Sequence, residues 1–434
     1  MVKFKKILTC VLCVALVASL GGCTTYDNFK HAFIDGGTSD DTQTIKIGVF
    51  EPLTGEHKAE GQDEVNGIEL ANELYPEVCG KKVELVYADN KSDIYTGQTA
   101  IEELISANSP SIILGSYGET LTLIAGKAAK AAEIPAISIS STNPLITENN
   151  PYYFCATYSQ TRQGEALATF AYNSLEATKV AAIKIDGDDT ATAAIKRFTN
   201  RYKKLSGSSS NVYGTLTLPT DSNDTESYAS VMAELAESGA DAVYLALSPS
   251  TAIQFMTQAK EAGLTGICYL GTRDWSSEDM TLFINQNKDV EIAFPSEEGQ
   301  SSETSVSDEF VTAYKEKYGA GTEPSEAATV AFDAYCLALK AIENAYETMQ
   351  NTDVDELVSE AATEAEGRAA KEELETALAS GIPSGTMIRD ALLAIEDFEG
   401  ASGIINYGGS NEATKSITVK HFVNGQEVAA YTVE

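Results

Sequence analysis

Ile45-Lys46-Ile47-Gly48-Val49, then Pro52-Leu53-Thr54-Gly55, then Val65, Ile68, Ala71 and Leu74: this is the stretch whose reading decides the fold. Ile45, Ile47 and Val49 alternate with the period of two that a strand imposes. The apolar residues beyond the Pro/Gly loop recur at three and four, which is helical spacing. Asp63 stands before them as a candidate N-cap. Strand, loop and helix make the opening unit of an α/β protein.

The unit repeats. Strands are expected at Val83–Tyr87, Ile112–Leu114 and Ile134–Ile139, with helices at Thr96–Ala107 and Leu121–Ala132 between them. A second series follows Tyr152–Ala156. It alternates helices at Gln163–Leu175, Ala191–Leu205, Tyr228–Ser238 and Thr251–Ala262 with strands at Val180–Ile185, Val212–Leu218, Ala242–Leu247 and Ile267–Leu270. Alternation of this kind implies parallel sheets covered on both faces, hence two consecutive doubly wound lobes. From Val306 to Leu393 the chain reads as helical, with the Glu/Ala-rich segment 353–378 expected as a helical insertion. Strand character returns at Ile404–Tyr407, Ser416–His421 and Glu427–Val433, where Asn424-Gly425 signals a hairpin.

The first residues are a separate matter. Lys3, Lys5 and Lys6 precede an apolar run from Ile7 to Leu20, closed by Gly21-Gly22-Cys23. The run is too short to span a bilayer, and small residues before a cysteine predict a lipoprotein signal at 1–22 with Cys23 as the lipidated residue. Acyl chains there would anchor the protein to the outside of the cell membrane. Residues 23–44, with Gly36-Gly37-Thr38-Ser39-Asp40-Asp41, lack periodicity and read as a tether.

The formal charge is −34. Loss of the three signal lysines would leave 27 basic residues against 64 acidic ones, a charge of −37. Such a surface repels phosphates, which excludes nucleic acid as a partner. Cys79, Cys155, Cys268 and Cys336 are far apart in sequence and form no zinc motif, so buried free thiols are expected. Asp186-Gly187-Asp188-Asp189 and Asp221-Ser222-Asn223-Asp224 have the carboxylates of a calcium loop but not its spacing, and read as solvated turns. No cofactor or metal is expected.

Open α/β sheets bind ligands beyond the carboxyl ends of their strands. Two loops take that position: Gly115-Ser116-Tyr117-Gly118-Glu119-Thr120, and Ser140-Ser141-Thr142-Asn143-Pro144. Their hydroxyls and free N–H groups could receive a ligand carboxylate, and capping and turn formation explain the same residues equally well.

Ile45-Lys46-Ile47-Gly48-Val49 with Pro52-Leu53-Thr54-Gly55, Asn66-Gly67-Ile68-Glu69-Leu70-Ala71, Gly115-Ser116-Tyr117, the run Ile137 to Pro144, Gln163-Gly164, Gly271 before Trp275, and Phe398 to Gly403 together resemble the Leu/Ile/Val-binding protein family of type I periplasmic binding proteins. The resemblance covers nearly the whole chain beyond Cys23. It implies two Rossmann-like lobes joined by three crossovers near Ala156, Ala293 and Ile404, so that 45–156 with 294–403 forms one lobe and 157–293 with 404–434 the other. It also implies closure on a small-molecule ligand, read as an amino acid, and delivery by a monomer to an ABC permease. Carried over by position, the ligand residues are Gly118, Glu119 and Thr120, then Ser140 and Thr142, with Ser141 between them. The resemblance implies that Asp188, Asp189, Ser248, Arg273 and Asp274 face them from the second lobe. Glu119 stands where the family commonly has serine, and Arg273 where amino-acid binders often have an acid, so a ligand more polar than a branched-chain amino acid is expected. Tyr117 and Trp275 are candidates either for the cleft wall or for packing.

Two rival functions remain. A ligand-sensing protein for an amide, urea or similar solute would share fold and cleft and report to a receptor. A secreted hydrolase finds little support: only His31, His57 and His421 exist, and no nucleophile elbow, Walker loop or His-Glu-x-x-His occurs.

Overall fold

The computed structural model describes residues 44–221, 225–296 and 304–433. The expected signal segment, Cys23 and nearly all of the tether lie outside the described residues, as does most of the Asp221 to Asp224 turn.

The first part of the chain runs β1 (Ile45–Glu51), α1 (Lys58–Leu74), β2 (Glu77–Val78), β3 (Lys81–Asp89), α2 (Ile94–Asn108), β4 (Ile112–Leu114), α3 (Glu119–Ala132), β5 (Ala136–Ser138) and β6 (Tyr153–Cys155). These strands form one six-stranded sheet in the order β2-β3-β1-β4-β5-β6, parallel except for β2 at the edge. The second series is α4 (Gln160–Asn173), β7 (Val180–Ile185), α5 (Asp189–Ser206), β8 (Val212–Leu218), α6 (Thr225–Ser238), β9 (Ala242–Leu245), α7 (Pro249–Glu261), β10 (Cys268–Leu270), α8 (Glu278–Gln286) and β11 (Glu291–Ser296).

Helices α9 (Ser305–Tyr318), α10 (Glu326–Asn351), α11 (Val354–Glu360), α12 (Glu364–Ser380) and α13 (Gly385–Leu393) follow, then the short pair β12 (Phe398–Gly400) and β13 (Gly403–Ile405), and the hairpin β14 (Ile417–Val423) and β15 (Gln426–Val433). The hairpin joins the second sheet, whose order is β15-β14-β11-β10-β9-β7-β8. Leaving aside the antiparallel additions, each sheet has its first strand flanked by the second and third, the doubly wound pattern. Asn424 and Gly425 both have positive φ, 55° and 72°, as the tight hairpin turn requires.

Strand β1 is buried on both faces, so its alternation marks which core each side chain enters rather than a solvent-facing side. Ile45, Ile47 and Val49 face a core shared with Val65, Ile68 and α10, whereas Phe50 faces Ile101, Leu104 and Leu121 of α2 and α3. Burying each such side chain contributes about 1.5–3 kcal/mol. Gly67 is required by the close approach of α1 to α10: a Cβ there would lie 2.1 Å from the Ala328 carbonyl oxygen. Asp63 is not the cap expected of it. The helix starts a turn and a half earlier, behind His57, so Asp63 lies inside α1. Segment 353–378 falls into α11 and α12, and Leu374 and Ala377 of α12 pack on Met349 of α10.

All four cysteines within the described residues are free, three of them buried. No helix among the described residues is long and apolar enough to cross a membrane.

Candidate functional site

In a doubly wound sheet, the first and third strands carry their connections to opposite faces, and a crevice opens beyond their carboxyl ends. In the first sheet that point lies between β1 and β4, and is bordered by Glu51 to Gly55 and by Gly115 to Gly118. In the second it lies between β7 and β9, bordered by Asp186 to Asp188 and by Ala246 to Ser248. The loops after β5 and β10, carrying Ser140 to Asn143 and Gly271 to Asp274, flank these two points.

The two sheets meet through Arg273. Its Nη2 donates to the Ser140 carbonyl oxygen at 2.7 Å, its Nη1 to Thr157 Oγ1 at 2.7 Å, and its backbone N–H to Gln163 Oε1 at 3.0 Å. Ser141 is buried, and its hydroxyl finds no partner among the described residues. Thr142 is also buried and accepts the Gln160 N–H through its carbonyl at 3.0 Å. Tyr117 is half-buried, its ring 5.4 Å from that of His57, and its N–H donates to Glu51 Oε2 at 2.8 Å.

Glu119 opens α3 directly after Gly118, and its carboxylate accepts from Asn143 Nδ2 at 3.1 Å. Partial burial raises its pKa despite that bond, and the charges of Asp274 and Asp188 add to the shift. The same two aspartates act on Tyr244, a fully buried β9 residue whose phenol burial drives well upward and whose hydroxyl has no partner among the described residues. Glu119, Asp188 and Asp274 therefore converge from both sheets on one acidic locus.

Four sequence candidates are exposed on helices or cap them. Thr120 is exposed on the first turn of α3. Asp189 lies on α5 beside a groove of about 490 Å³ between that helix and the Pro144 to Glu148 turn. Asp188 caps α5 by accepting the Ala191 N–H at 2.8 Å, and Ser248 caps α7, so both also serve local structure. Trp275 is not a cleft wall. It is fully buried in the core of the second sheet, donates Nε1–H to the Leu247 carbonyl at 3.1 Å, and lies so close to Gly271 that a Cβ there would come within 1.9 Å of its ring.

Sequence reasoning missed the pair Glu51 and Glu64. Both are fully buried, one at the end of β1 and one on α1, beneath the Tyr117 and Ser140 loops. Glu51 Oε1 and both Glu64 oxygens meet no ordinary donor among the described residues. Burial raises the Glu51 carboxyl well above its usual range, and the charge of Glu64 adds to this. Burial likewise raises Glu64 to about 7, against the pull of Glu51, Ser140 and the Arg273 guanidinium. Both shifts favour the protonated forms, so the buried pair takes up a proton more readily than exposed carboxyls do. The signal was available: Gly61, Glu64, Val65 and Ile68 fall on one buried stripe of α1.

Two doubly wound, mainly parallel sheets, linked by Arg273 across the loops beyond their strands, make a two-lobed architecture. The chain belongs to the periplasmic binding protein family, whose profile matches residues 44–394. The amino acid binding protein of Pseudomonas aeruginosa is 26% identical over 267 residues, which is 60% of this chain and 65% of that relative, so the match spans just under two thirds of its length. A Leu/Ile/Val-binding protein homolog from Brucella suis is 24% identical over 354 residues, covering 79% of this chain and 83% of the relative. The crystal structure of a leucine binding protein from Thermotoga maritima superposes with a TM-score of 0.66 at 25% identity, over 89% of this chain and 98% of that one. These are binding proteins, not enzymes.

Proposed function

We propose that the chain is the extracytoplasmic binding component of an ABC importer and captures an amino acid or a closely related polar solute between its two lobes. The carrying observation is that Asp188 and Asp274 of the second sheet act on Glu119, the first residue of α3, whose carboxylate accepts from Asn143 in the loop that also carries Ser141, a buried hydroxyl without a partner among the described residues. A ligand ammonium would sit at the carboxylates, and its carboxylate at the hydroxyl and the helix N-terminus. The names of the relatives, which concern amino acids, support this class.

In this reading the lobes are 45–156 with 294–403 and 157–293 with 404–434, and they close about the crossovers with Arg273 as the contact that holds them. A permease would recognise the closed state. Cleavage before Cys23 and acylation of that residue would tether a monomer to the membrane.

A thermal-shift screen of the chain from Thr24 onward, against amino acids, small amides, urea and dipeptides, tests the proposal. A ligand at a hundredfold excess over its Kd stabilises the native state by about 2.7 kcal/mol. A hit lost on Asp274→Asn supports the site. Silence across the panel overturns the amino-acid reading.

A further inference from the structure

Cys268, Glu291 and His421 come from three neighbouring strands, β10, β11 and β14, and stand on one face of the second sheet. Cys268 lies opposite Glu291 in the parallel ladder, and His421 lies opposite Ala293 in the antiparallel one. Glu291 and Ala293 are two apart on β11 and so point the same way. Between the three, Ala293 offers only a methyl group. The Cys268 sulfur, a Glu291 oxygen and a His421 ring nitrogen all lie within 4.8 Å of one another, with His421 Nε2 2.7 Å from Glu291 Oε1. Cys268 is buried, while the His421 and Glu291 side chains are 13% and 39% exposed, so the cluster is shielded at the thiol and open at the carboxylate. Phe170 of α4 packs edge-on against the imidazole at 5.4 Å.

We propose that Cys268, Glu291 and His421 form a binding site for a divalent metal ion of the zinc class. Thiolate, imidazole and carboxylate are the ligand types zinc takes, at about 2.0–2.3 Å, which places donors roughly 3.3–3.8 Å apart around a tetrahedral ion. His421 and Glu291 would part by about half an ångström and Cys268 would close by up to about one, adjustments small enough for side-chain rotation within a rotamer well. The thiol would release its proton to solvent on binding. A sulfur ligand disfavours calcium and magnesium, which take oxygen. Without an ion, the His421 ring and the Cys268 thiol both bond to the Glu291 carboxylate, so the three donors are already gathered at one point. The fourth position would face solvent beside Glu291. An ion so held would tie the hairpin strand β14 to β11, with which it pairs, and to β10 beyond it. The site is spread over residues 268, 291 and 421, which is why no spacing motif announces it.

The test titrates Co(II), then competing Zn(II), into the chain from Thr24 onward, which carries every described element and no cysteines besides Cys79, Cys155, Cys268 and Cys336. The expected result is one equivalent bound with a thiolate-to-cobalt charge-transfer band, displaced by Zn(II), and a melting temperature that rises with Zn(II). Cys268→Ser, nearly isosteric, and His421→Asn should each abolish the band or weaken binding more than about a hundredfold, since even outer-shell partners of a metal ligand matter by about 10–100-fold. Cys79→Ser should leave the band unchanged. Absence of a thiolate band, or binding that Cys268→Ser leaves intact, overturns the proposal and assigns any uptake to the acidic surface. Should His421→Asn fail to fold, the Cys268→Ser comparison alone decides.

Discussion

Arg273 Nη2 lies 2.7 Å from the carbonyl oxygen of Ser140, a residue 133 positions earlier in the chain and on the other sheet. The same guanidinium reaches Thr157, where the chain passes from one sheet to the next, and lies close enough to Glu64 to favour that carboxyl's charged form. One side chain thus ties the second sheet to a loop, a crossing and a buried acid of the first. Hydrogen bonds made by a charged group contribute about 1.5–3 kcal/mol. Arg273→Met should therefore shift the unliganded protein toward an open form, seen as a larger radius of gyration in small-angle scattering, and weaken ligand binding about tenfold or more. An unchanged scattering profile together with unchanged affinity would remove Arg273 from the closure mechanism.

Glu64 predicts a pH dependence of stability. Burial raises its pKa from 4.5 to about 7 in the folded protein. A carboxyl whose folded pKa is raised binds its proton more tightly when folded, so its contribution is present in full below 4.5 and is lost as pH rises through 7. Urea midpoints should fall across that window. Self-repulsion of a chain with charge −34 also grows with pH, so the decisive comparison is Glu64→Gln, which should flatten part of the slope. A variant with the same slope as the parent would show that the carboxyl is not protonated in the native state.

Ser141 makes the opposite kind of prediction, on binding rather than stability. Its hydroxyl is buried without a partner among the described residues, a state that itself costs free energy unless a ligand satisfies it. Ser141→Ala should leave the unliganded melting temperature level or slightly raised and weaken the ligand about five- to tenfold, the cost of one hydrogen bond. Thr142→Ala should likewise weaken binding without unfolding the lobe, because it removes a hydroxyl from a loop. Calorimetric affinities identical to the parent for both variants would move the ligand elsewhere.

How much of this was legible in the sequence depends on which physical signal each part carries. Ile112–Leu114, Val180–Ile185 and Val212–Leu218 are strands over the residues that their apolar or alternating patterns mark, because burial on defined faces fixes a strand's extent. The Asn424-Gly425 turn was legible because few residue pairs tolerate two positive φ angles. Strand β11 went unread as an element: Glu291 to Ser296 contains Pro295 and an acid, and only its place between β10 and β14 makes it a strand. Glu51 and Glu64 were missed because carboxylates read as solvent-facing until a fold encloses them. Trp275 could not be placed, since its burial depends on Gly271 letting the ring approach the backbone.

Asp333 carries the last prediction. It sits fully buried within the apolar run of α10 and accepts the N–H groups of Ala401 at 2.6 Å and Ser402 at 2.8 Å, together with the Ser402 hydroxyl. Lys415, also buried, donates to that same hydroxyl at 2.5 Å and attracts the Asp333 carboxylate. The network ties α10 to the segment that leads from β12 and β13 into β14, the last passage between the sheets. Burial still raises Asp333 to about 6, against the pull of Lys415 and Ser402, so desolvation outweighs attraction and the pair stabilises little in net terms. Breaking it is another matter. Asp333→Ala deprives the Lys415 ammonium of its facing charge and two backbone N–H groups of their acceptor, and should destabilise the protein by about 3–5 kcal/mol in urea denaturation at pH 7. Lys415→Met added to that variant should recover a substantial part of the loss, because an apolar pair removes the buried charge altogether. The recovery will not be complete, since the Ala401 and Ser402 N–H groups remain unmatched. A double variant as unstable as the sum of the two single variants would mean that Asp333 and Lys415 do not interact, and that Asp333 acts through its backbone contacts alone.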